Sequence, residues 1–167
     1  KATLKGVVLD KADSSLIEGV EVSAYRVSDG GFVNRFESND QGDFLMTLDS
    51  GSYNLEFRAQ GYEDFPQAFS ATFSLTVLPK QSWSDTIYLA ANTQKGNLIK
   101  GSVLSDLEKP VPGAMVLLEG AKFGTHSAIT DSLGEFSLWN IQDSNFSIKT
   151  YKSGYESYFS DEKLSSE

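Results

Sequence analysis

The sequence predicts an all-β chain that folds into two consecutive sandwiches of seven antiparallel strands, the second of which lacks its last strand. Short apolar runs bounded by Gly, Asp, Asn and Ser recur throughout the 167 residues, and the longer stretches show no helical periodicity. The spacing of the turn residues is typical of a two-sheet sandwich, in which a turn of a few residues connects each short strand to the next. A pattern of glycines that occurs twice indicates two sandwiches.

The repeated glycines divide the chain into two similar modules. Each module has a glycine after an apolar start, one before an apolar run, one at a turn that precedes a Phe, and one in a closing Gly-Tyr pair. The first set is Gly6, Gly19, Gly42 and Gly61, and the second is Gly101, Gly113, Gly134 and Gly154. We therefore expect a first module at residues 1–91, a linker at 92–97 that has nothing to bury, and a second module at 98–167.

Seven strands are expected in the first module. Tyr53, Leu55 and Phe57 alternate with polar residues, as in a strand with one buried face and one solvated face. Phe44 follows the turn glycine Gly42, where a positive φ favours Gly, and is expected to enter the core. In chain order the expected strands are residues 3–9, 20–25, 32–36, 44–48, 53–58, 69–78 and 86–90.

The second module shows the same signals but ends early. Phe136 follows the turn glycine Gly134, and Phe146 and Ile148 alternate with polar residues. The six expected strands are residues 98–104, 114–119, 126–130, 135–139, 146–149 and 155–159, followed by a polar tail at 160–167. A sandwich without its last strand exposes a row of unpaired backbone groups, which proteins normally cover or pair. We expect the parent polypeptide to continue and supply the strand, with strand addition by a partner as the alternative.

Composition excludes several classes of function. The net charge of −9 and the 14 scattered Lys and Arg residues argue against binding to nucleic acid or anionic lipid. The absence of cysteine excludes disulfides and thiolate metal sites. No apolar run approaches the ~20 residues that a membrane-spanning helix needs, so no membrane insertion is expected. Lys1, with no signal-like segment after it, indicates a mature or excised fragment.

Three groups of residues are candidates for binding or chemistry. His126 is the single histidine and is expected to be a solvated strand residue, since metal sites and nucleophilic catalysis need further partners. Carboxylates beside the two tight turns could bind calcium, although hairpin turns select Asp and Asn for their own geometry. Aromatic residues could stack on sugar rings if they are exposed. The calcium candidates are Asp40, Asp43, Asp131 and Glu135, and the ligand-binding candidates are Trp139, Tyr151 and Tyr158.

Two tryptophans receive different interpretations. Trp139 follows Leu138 in the alternation and is expected to face outward, where it could bind a glycan or cover a module interface. Trp83 lies in the turn before the last strand of the first module and is expected to cap the core.

Several segments together resemble the carboxypeptidase regulatory-like family, closely in the second module and more loosely in the first. In the second module they are Ile99-Lys100-Gly101-Ser102-Val103, Pro110-Val111-Pro112-Gly113-Ala114-Met115-Val116, Thr130-Asp131-Ser132-Leu133-Gly134-Glu135-Phe136-Ser137-Leu138 and Ser153-Gly154-Tyr155. In the first they are Leu4-Lys5-Gly6-Val7-Val8, Ile17-Glu18-Gly19-Val20-Glu21-Val22, Asn39-Asp40-Gln41-Gly42-Asp43-Phe44 and Gln60-Gly61-Tyr62. The resemblance implies a transthyretin-like, Ig-like sandwich. It also implies an accessory module of the kind found beside peptidases, glycan-active enzymes, adhesins and outer-membrane transporters.

The family is also similar to the collagen-adhesin B-type modules, some of which crosslink a Lys to an Asn with the help of a buried acid. Lys11 stands about where that lysine would lie. The position that should carry the acid is Phe57 in the first module and Thr150 in the second, and Asp106 replaces the second lysine. The resemblance therefore implies no complete crosslinking site in either module.

The main functional hypothesis is a non-catalytic accessory tandem of a secreted, cell-surface or periplasmic bacterial protein. It would act as a spacer and protein-interaction platform, with neighbouring domains or another surface protein as partners, and without a cofactor. One alternative is a carbohydrate- or ligand-binding module. Another is the N-terminal extension of an outer-membrane transporter.

Overall fold

The structure is a computed structural model, and it describes residues 1–66, 72–94, 96–120, 122 and 124–163. The described residues form strands, turns and loops, and none of them lies in a helix that could cross a bilayer. The chain separates into two compact units, residues 1–93 and 94–167. The strands are β1 (Ala2–Asp10), β2 (Glu21–Arg26), β3 (Phe32–Glu37), β4 (Asp43–Leu48), β5 (Gly51–Arg58), β6 (Phe73–Val77), β7 (Ser82–Leu89), β8 (Asn97–Ser102), β9 (Met115–Gly120), β10 (Gly124–Ile129), β11 (Glu135–Ile141), β12 (Asn145–Tyr151) and β13 (Tyr158–Lys163).

The predicted all-β fold is confirmed, and the module boundaries at 91 and 98 stay a prediction. In the first unit, one sheet has the order β4-β1-β7 and the other has the order β3-β2-β5-β6. The expectation of purely antiparallel sheets is wrong at one place, because β7 runs parallel to β1. The chain passes from one sheet to the other between β6 and β7, so β7 arrives beside β1 pointing in the same direction.

The core of the first unit contains a cluster of aromatic rings among aliphatic side chains. Phe57 is fully buried and lies within ring-packing distance of Phe44, Phe65 and Phe73, at centroid separations of 5.6, 6.0 and 6.1 Å. Trp83 extends this cluster by an edge-on contact of 5.9 Å with Phe73. Aromatic pairs at these separations contribute beyond the area that they bury.

The second unit has a four-stranded sheet of order β10-β9-β12-β13 and a two-stranded sheet of β11 and β8. Its core is smaller and consists of Val116, Leu118, Phe136, Leu138, Ile141 and Phe146. The register of the pairs makes β8 the equivalent of β1, because Gly101 lies opposite Phe136 as Gly6 lies opposite Phe44. The remaining strands correspond in order, so that β13 is the equivalent of β6. A strand equivalent to β7 does not occur among the described residues of this unit.

Each unit also contains its own buried side-chain bridge, at equivalent positions, which the sequence did not predict. The Ser38 hydroxyl accepts a hydrogen bond from the Val20 amide and donates one to the Ile17 carbonyl, both at 2.9 Å. Thr130 forms the same bridge in the second unit, to the Ala114 amide at 2.8 Å and the Val111 carbonyl at 2.7 Å. Each bridge satisfies a backbone donor and a backbone acceptor that burial would otherwise leave unpaired.

Three strands differ most from their predicted bounds. Of the strand expected at 69–78, residues 69–71 lie outside the described part of the chain, and β6 covers Phe73–Val77. β7 begins at Ser82 rather than at residue 86, so Trp83 lies within a strand rather than in a turn. β13 begins at Tyr158 and continues to Lys163 through residues expected in a polar tail. Pairing with β12 supplies its backbone hydrogen bonds, so a strand forms there without an apolar sequence. Residues 164–167 of the expected tail lie outside the described residues.

Candidate functional site

One edge of β8 faces an open groove, whereas the equivalent edge of β1 is covered. β1 lies between β4 and β7, but β8 pairs with β11 alone in the described part of the chain. The Val103 amide donates to the Gly134 carbonyl at 2.8 Å, as the Val8 amide does to Gly42 at 2.9 Å. Since successive amides point to opposite sides of a strand, the amides of Leu98 and Ser102 point toward the open edge.

The surroundings of Gly6 in β1 and Gly101 in β8 show the difference between the covered edge and the open edge. A methyl group added at Gly6 would lie 2.5 Å from the Asp85 carbonyl oxygen of β7 and 2.7 Å from the Phe44 ring. A methyl group added at Gly101 would lie 2.6 Å from the Phe136 ring. Its three nearest atoms all belong to that ring, and none is a backbone atom. The second unit thus has the same glycine and aromatic partner, and its described residues contain no equivalent of the neighbouring β7.

Core residues beside the open edge are less buried than their equivalents. Leu4, Val8 and Leu55 are 0% exposed in the first unit. Their equivalents Ile99, Val103 and Ile148 are half-buried and pack at the margin of the second core. Apolar side chains that the first unit withdraws from water are therefore partly hydrated in the second.

These residues line a groove of about 430 Å³ between β8 and the β12–β13 side of the unit. The floor is apolar and contains Ile99, Val103, Phe136 and Ile148, and Tyr151, Tyr155 and Tyr158 lie at the rim. The size is in the range of about 300–1,000 Å³ found for binding pockets. The edge of β8 that carries the Leu98 and Ser102 amides pairs with no other described strand, and such an edge beside an apolar groove is suited to an added β-strand.

The inner wall formed by β13 is polar where β6 is aromatic and aliphatic. Ile148 pairs with Ser160, as Leu55 pairs with Phe73. Two residues further along, Glu162 is the equivalent of Leu75, because its partner Phe146 corresponds to Tyr53. The Ser160 hydroxyl donates to Oε1 of Glu162 at 2.6 Å, so the carboxylate is anchored at the groove.

Tyr155 also differs from its equivalent in the first unit. Tyr62 forms a bridge with Ala91, just beyond β7, and its hydroxyl donates to Oδ2 of Asp10 at 3.0 Å. Tyr155, in contrast, is 53% exposed. The segment that would cover it follows the position of β7.

The expected exposure of Trp139 is wrong. Its side chain is 8% exposed, and Ser137 on the same face of β11 is 5% exposed. The sequence pattern along β11 predicts one face in the core and one face in solvent, but both faces of this strand are buried. A bulge at Asn140, which has a φ of 56°, interrupts the alternation directly after Trp139. This burial removes the residue on which the glycan hypothesis mainly depended.

The other sequence candidates occupy different places. Tyr151 and Tyr158 line the groove and are 42% and 59% exposed, and their ligand-binding role stays a prediction. His126 lies half-buried on β10, opposite Leu118. Phe57 fills the core at the position where a crosslinking acid would be needed, and Lys11 and Asp106 are exposed in loops.

The calcium candidates lie at the two equivalent turns. Oδ1 of Asp131 accepts hydrogen bonds from the Leu133 and Glu135 amides, both at 2.9 Å. Asn39 caps the equivalent turn of the first unit. Its Oδ1 accepts a hydrogen bond from the Asp43 amide at 2.9 Å. Within the described ranges, no group of three or more His, Asp or Glu side chains could hold a metal ion. Calcium binding at Asp40, Asp43, Asp131 and Glu135 stays a prediction.

A buried charge cluster lies on the outer face of the four-stranded sheet of the first unit. Glu21 is 5% exposed, and its Oε2 lies 3.5 Å from Nη1 of Arg35. Burial raises the pKa of the Glu21 carboxyl, against the opposing charges of Arg35 and Arg58. Burial, reinforced by Glu56, also raises the pKa of Tyr25 to about 12. Burial of the Glu21 carboxyl therefore carries an electrostatic cost in the first unit.

We expect Glu21→Gln to change the pH dependence of stability. A carboxyl whose pKa is raised in the folded state stabilises the fold fully below its unfolded value near 4.5, and this contribution is lost as the pH rises through the folded pKa. The free energy of unfolding of the variant, relative to that of the wild type, should therefore be higher at pH 7 than at pH 4. Urea denaturation of both proteins at the two pH values checks this, and a constant or reversed difference would contradict it.

Several solved structures are similar to this chain at low sequence identity. A streptococcal ancillary pilin matches with 13% identity and a TM-score of 0.44, over 99% of this chain and 59% of the pilin. The Bacillus anthracis TIE protein matches with 15% identity and a TM-score of 0.46, over 98% of this chain and 31% of that protein. A hydroxyquinol 1,2-dioxygenase from Pseudomonas putida DLL-E4 matches with 13% identity and a TM-score of 0.37, over 55% and 56% of the two chains. At such identities the likeness concerns the fold alone.

No curated protein sequence matches the chain. The family model of the carboxypeptidase regulatory-like domain matches residues 3–82, which run from the start of β1 to the start of β7. The match thus lies on the module with the looser motif, and the second unit lies outside it. Over these residues the first unit is similar to the carboxypeptidase regulatory-like domain family.

Proposed function

We propose that the chain is a non-catalytic pair of β-sandwich units from a secreted or cell-surface protein, and that its second unit binds another protein. The binding site is the groove beside β8, and the occupant is an extended segment of the partner, added as a strand. The accessory role that the family resemblance implies for the first unit supports the non-catalytic part. The open edge of β8 supports the binding part, because an exposed strand edge is a template for pairing with another chain.

The observation that carries the proposal is the comparison between the two equivalent edges. β7 covers the edge of β1, and its inward residues Ile87 and Leu89 are 3% and 1% exposed. The second unit leaves Ile99, Val103 and Ile148 partly hydrated at the same place. Transferring such side chains from water into a contact is favourable by roughly 25 cal/mol per Å² of apolar surface.

The polar wall of the groove favours an exchangeable partner over a permanent strand. Where β7 is permanently in place, the facing positions on β6 are Phe73 and Leu75. The equivalent positions on β13 are Ser160 and Glu162, which remain hydrated while the groove is empty. A carboxylate is costly in a permanently closed core. Three exposed tyrosines at the rim also fit a protein interface, where this residue type is enriched.

The test uses a synthetic peptide with the sequence of residues 81–91, which contains β7. We expect it to slow amide hydrogen exchange at Leu98 and Ser102, while exchange in the first unit stays unchanged because its own β7 is in place. Ser102→Pro removes an amide that points to the open edge without removing a bond between β8 and β11. It should weaken peptide binding by about tenfold, the equivalent of one lost hydrogen bond of ~1.4 kcal/mol.

Ser102→Ala is the matched control, because it keeps the amide and should bind as the wild type does. Circular dichroism of the three proteins verifies that the fold is intact. Protection that spares β8, or equal binding by the proline variant, would contradict the proposal. So would binding to this chain combined with no binding to a longer natural form, since the polypeptide itself would then fill the groove.

A further inference from the structure

We infer that the added segment runs parallel to β8 and carries a Lys or Arg opposite Ile99, with apolar residues four and six positions later. This inference rests on the proposed strand addition and specifies which partner segment the groove accepts. It follows from transferring the β1–β7 register to β8 and then reading which side chains of the second unit each position would meet.

The direction follows from the repeat. β7 is parallel to β1, with Leu4 opposite Trp83, Val8 opposite Ile87 and Asp10 opposite Leu89. In the second unit the equivalents of these β1 residues are Ile99, Val103 and Ser105, which follow from the shared register around Gly6 and Gly101. The amides of β8 that point to the open edge alternate as they do in β1, so the same slanted parallel ladder can form.

Two positions of the segment must be apolar. The residue opposite Val103 enters the groove beside Val111 and Ala114, which line it together with Phe136. The residue opposite Ser105 comes next on the same face, where Leu89 is 1% exposed in the first unit. The end of the segment then lies over Tyr155, as Ala91 lies beside Tyr62. β-Branched or long aliphatic residues suit these positions.

The position opposite Ile99 has a different requirement. In the first unit it is Trp83, which packs against Phe73. In the second unit Ser160 and Glu162 stand at the positions of Phe73 and Leu75, and Glu162 lines the groove together with Ile99. An apolar ring there would dehydrate the carboxylate without pairing it. A Lys or Arg can cover Ile99 with its aliphatic stem and place its charge on the carboxylate.

The other charged groups that line the groove do not remove this preference. Nζ of Lys152 lies 3.3 Å from the Gly113 carbonyl, and Lys152 follows the last residue of β12, whereas Glu162 pairs with Phe146 near the start of that strand. Lys100 precedes Gly101 on β8, and its side chain lies on the opposite face from Ile99 by alternation. Glu156 adds a second negative charge near the rim.

Two peptides test the preference. One has the sequence of residues 81–91, and the other carries Arg in place of Trp83. We expect the Arg peptide to bind this chain about tenfold more tightly, as for one charge-assisted hydrogen bond. With the Glu162→Gln chain this advantage should fall to less than about twofold. Isothermal titration calorimetry measures the four affinities. Asp161→Asn is the matched control, since it removes one negative charge from the other face of β13, keeps the Glu162 carboxylate and should leave the advantage of the Arg peptide unchanged.

A nitroxide at the N-terminus of the Arg peptide tests the direction. In the parallel arrangement it broadens the amide signals of Leu98 and Ile99 more than that of Leu104. The reverse pattern would overturn the inferred direction. Equal affinities of the two peptides for the wild-type chain, or an advantage that Glu162→Gln leaves unchanged, would overturn the basic residue. Either result can occur while Ser102→Pro still weakens both peptides, so this inference can fail while the strand-addition proposal stands.

Discussion

Phe57→Ala is expected to lower the free energy of unfolding of the first unit by about 3–5 kcal/mol, the range for removing a buried Phe side chain. Phe57 is 0% exposed and contacts the rings of Phe44, Phe65 and Phe73, so the substitution leaves a cavity at the centre of the aromatic cluster. Guanidinium denaturation of the wild type and the variant measures the loss. Trp83, which packs on Phe73, supplies a fluorescence signal within this unit.

Thr150→Ala is the matched substitution, because Thr150 pairs with Val116 as Phe57 pairs with Val22. Thr150 is half-buried at the groove, so its truncation should cost less than about 1 kcal/mol. The Trp139→Phe background leaves Trp83 as the single tryptophan and assigns the transition to the first unit. A loss below about 1 kcal/mol for Phe57→Ala would contradict a core centred on this ring.

Much of the fold could be predicted because, in both halves of the repeat, a turn glycine is followed two positions later by a buried aromatic residue. Gly42 and Gly134 have φ values of 69° and 74°, and Phe44 and Phe136 are 2% and 7% exposed, which confirms the predicted turns and their buried aromatics. These features are local, since a residue with a positive φ and an apolar residue two positions later are both visible in a short stretch of sequence.

The strands that were misplaced depend on neighbours distant in sequence. Ser82, Ser84 and Asp85 look like loop residues, yet they lie in β7 because β1 supplies a partner along its whole length. Ser160 and Glu162 look like a tail, yet β12 pairs with them. For strands at the edge of a sheet, pairing rather than apolar pattern decides whether the strand forms.

The groove could be predicted only in part. Among the described residues β8 lacks the neighbour that β7 provides for β1, and the position of that neighbour depends on the crossing from β6 to β7, which no local pattern encodes. Ile99 and Val103 look like ordinary core residues in the sequence. The one signal that was overlooked is the replacement of Phe73 and Leu75 by Ser160 and Glu162, and it becomes visible only after β6 and β13 are aligned through their pairing partners.

Gly6→Ala and Gly101→Ala are expected to differ because of the strand that covers one glycine and not the other. At Gly6 the added methyl group would lie 2.5 Å from the backbone oxygen of Asp85, which cannot move without separating β7 from β1. Overpacking of this kind costs about 1–3 kcal/mol. At Gly101 the nearest atoms belong to the far end of the Phe136 ring, which borders the groove and has room to turn.

Gly101→Ala should therefore change the stability of the second unit by less than about 1 kcal/mol, since the relief of glycine's conformational entropy, roughly 0.5–1 kcal/mol, offsets the shift of the ring. Denaturation followed by unit-specific amide signals gives both values, and Lys5→Ala and Lys100→Ala serve as neighbouring exposed controls in equivalent strands. Equal losses at the two glycines would mean that a backbone segment lies against β8 in solution. The groove would then be filled, and the difference between the two units on which strand addition depends would not exist.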